Sequence, residues 1–161
     1  MKIRESFQYP AAVEAVFALI SDEKFRVAAA EKTGGLNVSA SVSSAGDSTK
    51  VTLQRTQPAT VPEFVKKFIG DAVTVKQVEA WSEPDAQGTR TAKLTMKVAG
   101  QPAGFDGSAT LKNDGKGAEF VVSGNVKVSV PFVGKKVEPV IAKAVLSSIK
   151  HDVKAGVAKL S

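Results

Sequence analysis

Cysteine is absent from the chain, and histidine occurs once in 161 residues. Without thiols there can be no disulfide, no thiolate metal site and no cysteine nucleophile. With His151 as the only imidazole, a transition-metal site would rest mainly on carboxylates. No metal or cofactor is therefore expected. Aromatics are scarce too: one Trp, one Tyr and eight Phe. Single-strand nucleic-acid readers stack bases on aromatics across a basic sheet face, whereas most of these Phe fall at helix or apolar-face positions. No RNP-type, zinc-finger or helix-turn-helix pattern is present, so nucleic acid is not the expected partner despite a pI near 9.6. Long hydrophobic runs are missing as well. The longest, Ala11 to Ile20, is broken by Glu14, and a membrane-spanning helix needs roughly 20 apolar residues. The first residues alternate as a strand and lack the apolar core of a secretion signal. The expectation is a cytoplasmic protein of one domain, residues 1–161.

What the chain does have is alternation followed by one long helical stretch. Residues 2–9 place Ile3, Glu5, Phe7 and Tyr9 on one side, a period-2 strand. Pro10 ends it, and Val13, Val16, Phe17 and Ile20 take up helical spacing. Ser21-Asp22 can cap a second helix, Glu23 to about Lys32, which stops at Gly34-Gly35. Leu36–Val42 and Val51–Arg55 alternate around Ala45-Gly46-Asp47-Ser48 and read as a hairpin. A short helix is expected over Glu63–Ile69. Strands follow at Val73–Ser82, residues 89–99, Gly104–Lys112 and from Phe120 onward.

The last segment carries nearly all the excess charge. Residues 127–161 hold seven basic and two acidic side chains, a net +5 of the chain's +6. Within it Val137, Ile141, Val145, Ile149, Val153 and Val157 step by four, a stripe that winds slowly around a helix of 3.6 residues per turn. Lys136, Lys143, Lys150 and Lys154 gather on the other side. Pro139 either lies inside this helix, removing a hydrogen bond, or stands at its start near Glu138.

Strand, two helices, six strands and a long helix make an α+β pattern. One antiparallel sheet has a single covered face. A curved antiparallel sheet of about seven strands would wrap around the long C-terminal helix, with two short helices after strand 1. This order resembles the helix-grip fold of the START-like (SRPBCC) superfamily, which groups lipid-transfer, polyketide cyclase/aromatase and plant hormone-binding proteins. The residues carrying the resemblance are Tyr9-Pro10-Ala11, Val16-Phe17, Asp22, Trp81, Val130-Pro131-Phe132-Val133-Gly134 and Glu138. Together they are most similar to an actinobacterial branch known as a domain of unknown function. The resemblance implies a hydrophobic cavity between sheet and last helix, and it implies no reaction.

Catalytic chemistry is thin. His151 has no nameable partner as a general base and is expected at the surface. Gly134-Lys135 lacks the upstream glycine and following Ser/Thr of a P-loop. Glu5, Arg55 and Glu79 each share a strand face with apolar neighbours. They either orient a polar ligand head or reach water where a strand ends; the second reading is preferred, because buried charge is costly unless paired. An Arg55–Glu79 pair would meet that cost. The expected function is binding of a small hydrophobic or lipid-like ligand, as a carrier or sensor. The expected lining comes from the first helix (Phe17), the strands (Val38, Val51, Leu53, Trp81, Leu94, Met96, Phe120 and Val122) and the last helix (Ile141, Val145 and Ile149). Arg55 and Glu79 are the polar anchors. The alternative is a cyclase/aromatase-type enzyme using those two residues on a polyketide-like substrate. The lysine stripe is by default a solvated face, with weak contact to an anionic membrane as a further reading.

Overall fold

Alternation along the first residues gives β1 (Lys2–Tyr9), which Pro10 ends. The structure is a computed structural model describing residues 1–161. α1 (Val13–Ile20) begins after Ala12, which offers no capping side chain. Asn113 supplies the missing acceptor from across the fold, taking the Val13 N–H on Oδ1 at 2.9 Å. α2 (Glu23–Lys32) is capped by Asp22, whose Oδ1 accepts from the N–H groups of Lys24 and Phe25 at 2.9 and 3.4 Å. Gly34, at φ 92°, then turns the chain out of the helix.

Six strands follow: β2 (Leu36–Ala45), β3 (Ser48–Pro58), β4 (Ala72–Trp81), β5 (Arg90–Val98), β6 (Ala103–Asp114) and β7 (Gly117–Val128). A short helix, α3 (Glu63–Ile69), interrupts them between β3 and β4. Each successive pair is antiparallel, and β1 returns to pair with β7, so the order is β1-β7-β6-β5-β4-β3-β2. α1 and α2 therefore carry the chain from one edge of the sheet to the opposite edge. At that far edge β2 carries a bulge between Leu36 and Ser39, and its Val42 N–H is donated at 2.8 Å to Glu23 Oε1 instead of to a strand.

α4 (Gly134–Leu160) closes the molecule. It starts well before Pro139, which sits in its second turn and offers no N–H for the Lys135 carbonyl. The winding apolar stripe is real: Val137, Ile141, Ile149 and Val153 are buried, Val145 is half-buried, and Ile141 and Val145 border a cavity. α4 packs on β7 and β1, not on the middle of the sheet. Close approach there depends on Gly156, where an added Cβ would stand 2.9 Å from the Tyr9 ring. On the sheet itself Gly107 and Gly124 face each other across β6 and β7, and the Phe105 ring lies over both. A Cβ at either would meet that ring at 2.6 or 2.7 Å.

Candidate functional site

The lean of α4 toward β1 and β7 leaves the other half of the concave sheet uncovered at one end. A cavity of about 780 Å³ opens there, within the roughly 300–1,000 Å³ typical of small-molecule sites. Its apolar wall comes from Val73 and Val75 of β4, Met96 and Val98 of β5, Phe105 of β6, and Ile141 and Val145 of α4. The segment Pro58–Val61 and Ile69 of α3 complete it at the outer end. The polar part is one-sided. Lys32, Arg55 and Lys154 line it together with His151, and no Asp or Glu does. His151 is exposed, and its Nδ1 donates to the Ser147 carbonyl at 2.8 Å.

The opposite end of the sheet is plugged. Arg90 holds Glu14 through two hydrogen bonds of 2.9 and 2.8 Å, and its guanidinium lies 3.8 Å over the Phe17 ring. Phe17 meets Trp81 edge-on at 5.9 Å. Trp81 Nε1 donates to Glu79 at 3.0 Å, and Arg26 grips the same carboxylate in a fork, at 3.1 and 2.6 Å. Gln77 Nε2 adds a bond of 2.6 Å, while its buried Oε1 has no protein partner. Burial alone would raise the Glu79 carboxyl. The Arg26 charge and the converging N–H donors outweigh it and hold the group below its ordinary value. Burial likewise lifts the neighbouring Tyr9 phenol far above its usual range, keeping it neutral.

Two buried arginines thus have opposite surroundings. Arg26 makes three hydrogen bonds, two to the Glu79 carboxylate and one to the Ile20 carbonyl at 3.0 Å. Arg55 is only 4% exposed and lines the cavity. It has a hydrogen bond to Ser148 Oγ and stands 3.6 Å from Asp152 Oδ1, too far for a hydrogen bond. The expected Arg55–Glu79 pair does not form. In the β3–β4 register Arg55 lies opposite Val75 and Glu79 opposite Val51, four residues further along. Arg55 and Glu79 also do not sit where strands end in water, as the preferred reading held; both are buried, and only Glu5 is exposed.

Of the residues expected around a cavity, Arg55, Met96, Ile141 and Val145 line this one. Phe17, Glu79 and Trp81 belong to the plugged end, and Val51, Leu53, Leu94, Val122 and Ile149 are core. Phe120 packs on Phe7 and Tyr9, with centroids at 6.3 and 6.1 Å. Val38 is half-buried on the edge strand beside Gly35. Alternation identifies the inward face of a strand, and it carries no information on how far along that face the helices pack down. Val73, Val75 and Val98 were findable from the same faces; Gln57, Ser147 and Ser148 carry no sequence signal. Met96, Ile141 and Val145 all border the cavity, so the sheet and α4 are not packed solid there. Lys136, Lys143 and Lys150 are exposed on α4, and Lys154, also exposed, stands at the cavity rim.

A curved seven-stranded sheet gripping a long terminal helix, with a cavity between them, is the helix-grip fold. The whole chain matches solved structures of this fold. A protein from Thermus thermophilus is 14% identical, with TM-score 0.63 and full coverage of both chains. The Zhui aromatase/cyclase from a Streptomyces species is 10% identical at TM-score 0.60, covering 99% of this chain and 93% of its own. A STAR-related lipid transfer protein from Xanthomonas axonopodis is 16% identical at TM-score 0.56, with 99% and 85% covered. Within this class the chain belongs to the family described as a protein of unknown function, DUF2505, whose model matches residues 4–158. No curated protein sequence matches it. No helix is long and apolar enough to cross a membrane.

Proposed function

We propose that this protein binds a small apolar or amphipathic, lipid-like molecule in the cavity beside α4, as a carrier or sensor. The carrying observation is the cavity itself: apolar walls from β4, β5, β6 and α4, with a smaller set of basic and hydroxyl side chains among the lining. Such a division fits a ligand with an apolar body and one polar end. The fold shared with a lipid transfer protein supports the same reading. Native mass spectrometry of protein purified from its own cells, followed by solvent extraction, tests it. A bound species of lipid-like mass is the expected result; apo mass under several mild conditions speaks against a tightly held ligand.

The cyclase/aromatase alternative has less behind it. It needs an acid–base pair facing substrate, yet Glu79 is enclosed by Arg26, Gln77 and Trp81, and no carboxylate lines the cavity. Under that alternative Arg55→Ala would abolish turnover of a polyketide-like substrate; under the binding reading it leaves an apolar ligand retained.

Membrane contact is an extension of the carrier reading. Phe132 is fully exposed at φ 68°, a conformation unfavourable for a bulky side chain, and Lys135 and Lys136 follow it in sequence. An exposed ring flanked by lysines suits an anionic lipid surface, each Lys adding about 1 kcal/mol near acidic lipid. Flotation with acidic vesicles should fall with salt and fall again in Phe132→Ser and in Lys143→Glu/Lys150→Glu. Flotation indifferent to all three removes the idea.

A further inference from the structure

Resting on the cavity reading, we infer that the ligand is an amphiphile with an anionic head, seated with that head on Arg55. Three observations converge. The cavity lining contains Lys32, Arg55 and Lys154 and no acidic residue, so its ionised side chains are of one sign. Arg55 is almost wholly removed from water, yet its one hydrogen-bond acceptor is the Ser148 hydroxyl, and its ion pair with Asp152 is a loose one at 3.6 Å. A guanidinium carries five N–H donors in a planar fork, so Arg55 keeps donors free for an acceptor inside the cavity. Arg26, in the same fold, shows a buried guanidinium paired in this way, with both carboxylate oxygens of Glu79 in its fork. The third observation is direction: Val75 lies directly opposite Arg55 on the neighbouring strand and itself lines the cavity. The apolar wall thus begins one strand away from the charge. A head group accepting two parallel N–H bonds from Arg55 would leave its chain running along Val75, Met96 and Val145.

A carboxylate and a phosphate monoester share this chemistry, since each offers two oxygens to the fork. A neutral head of the same size offers no charge to set against Lys32, Arg55 and Lys154. A cationic head would meet all three at close quarters.

The test is calorimetric titration of the intact protein with dodecanoate, dodecyl phosphate, dodecanol and dodecylammonium, each below its micelle concentration. We expect one or both anions to bind about tenfold to a hundredfold more tightly than dodecanol, the range of one or two charge-assisted hydrogen bonds. The stronger of the two anions identifies the head. Dodecylammonium is expected to bind most weakly. In Arg55→Gln the preference for the anion should collapse while dodecanol affinity stays within about threefold of the parent. If Arg55→Gln does not fold, Lys32→Gln/Lys154→Gln serves, because both lysines are exposed; there the preference should shrink several-fold. Equal binding of dodecanoate, dodecyl phosphate and dodecanol overturns the anionic head and leaves the cavity reading standing. Binding of none of the four overturns the cavity reading itself. An anion preference that survives Arg55→Gln overturns the seat assigned to Arg55.

Discussion

Arg26 and Glu79 form the most consequential pair of side chains in the core. Both are buried, and each provides the charge that keeps the other from being an isolated ion. Removing one partner of a buried pair costs about 3–5 kcal/mol, whereas replacing both by apolar residues is often neutral. Arg26→Met and Glu79→Met should each lower the denaturant midpoint strongly, and Arg26→Met/Glu79→Met should recover much of the loss. The pair also sets an acid limit. Glu79 lies below its ordinary value in the folded state and near about 4.3 in the unfolded chain. Its contribution is complete above the unfolded value and is lost as pH falls through the folded one. Thermal midpoints followed from about pH 6 down to about pH 3 should fall steeply at the acid end, and the double Met variant should flatten that limb. Glu14, although lowered by its bonds to Arg90, is 62% exposed and adds little. The sequence put Glu79 among apolar neighbours on one strand face and offered Arg55 as its partner, where the structure has Arg26. Arg26 lies in a helix whose polar and apolar residues show no clear stripe, so nothing in the chain marked it as buried.

At the scale of elements, local chemistry explains the boundaries well. Asp22 before Glu23 is a capping residue with two N–H bonds to show for it. Asp22→Ala should cost about 1 kcal/mol in chemical denaturation, a loss specific to α2. Two of the glycines at positive φ, Gly46 and Gly115, sit in hairpin turns where the alternation breaks. β7 ends at Val128, two residues short of the last alternating valine, because Val130 already accepts the Gly134 N–H at the approach to α4. Pairing distances carry a second lesson. Gly107 and Gly124 lie far apart in sequence, yet they make one floor for the Phe105 ring. Gly124→Ala should destabilise by about 1–3 kcal/mol through overpacking, since its new Cβ would stand 2.4 Å from the Asp106 carbonyl. Denaturation compared with Gly46→Ala, a turn position with open space around it, separates packing from backbone strain. Neither glycine was legible as a partner of the other, because register is a property of two strands and not of one.

For the molecule as a whole, the periodicities determine the layers but not the gap between them. Strand alternation and the four-step stripe on α4 are enough for a sheet gripping a helix. The cavity arises because α4 leans on β1 and β7, and that lean depends on contacts such as Gly156 against Tyr9. No window of sequence contains such a contact. Four of the expected lining residues reach the cavity for this reason, while the plugged end absorbed Phe17, Glu79 and Trp81. The order β1-β7-β6-β5-β4-β3-β2 also leaves β2 as an outer strand with no neighbour beyond it. An open strand edge is a template for joining a second chain. Here the Leu36/Ser39 bulge and the Glu23 carboxylate on the Val42 N–H interrupt that template. Glu23→Ala should therefore raise concentration-dependent association in sedimentation velocity while leaving the fold intact by circular dichroism. In that role Glu23 sets how crowded a solution this protein tolerates before its copies begin to join edge to edge.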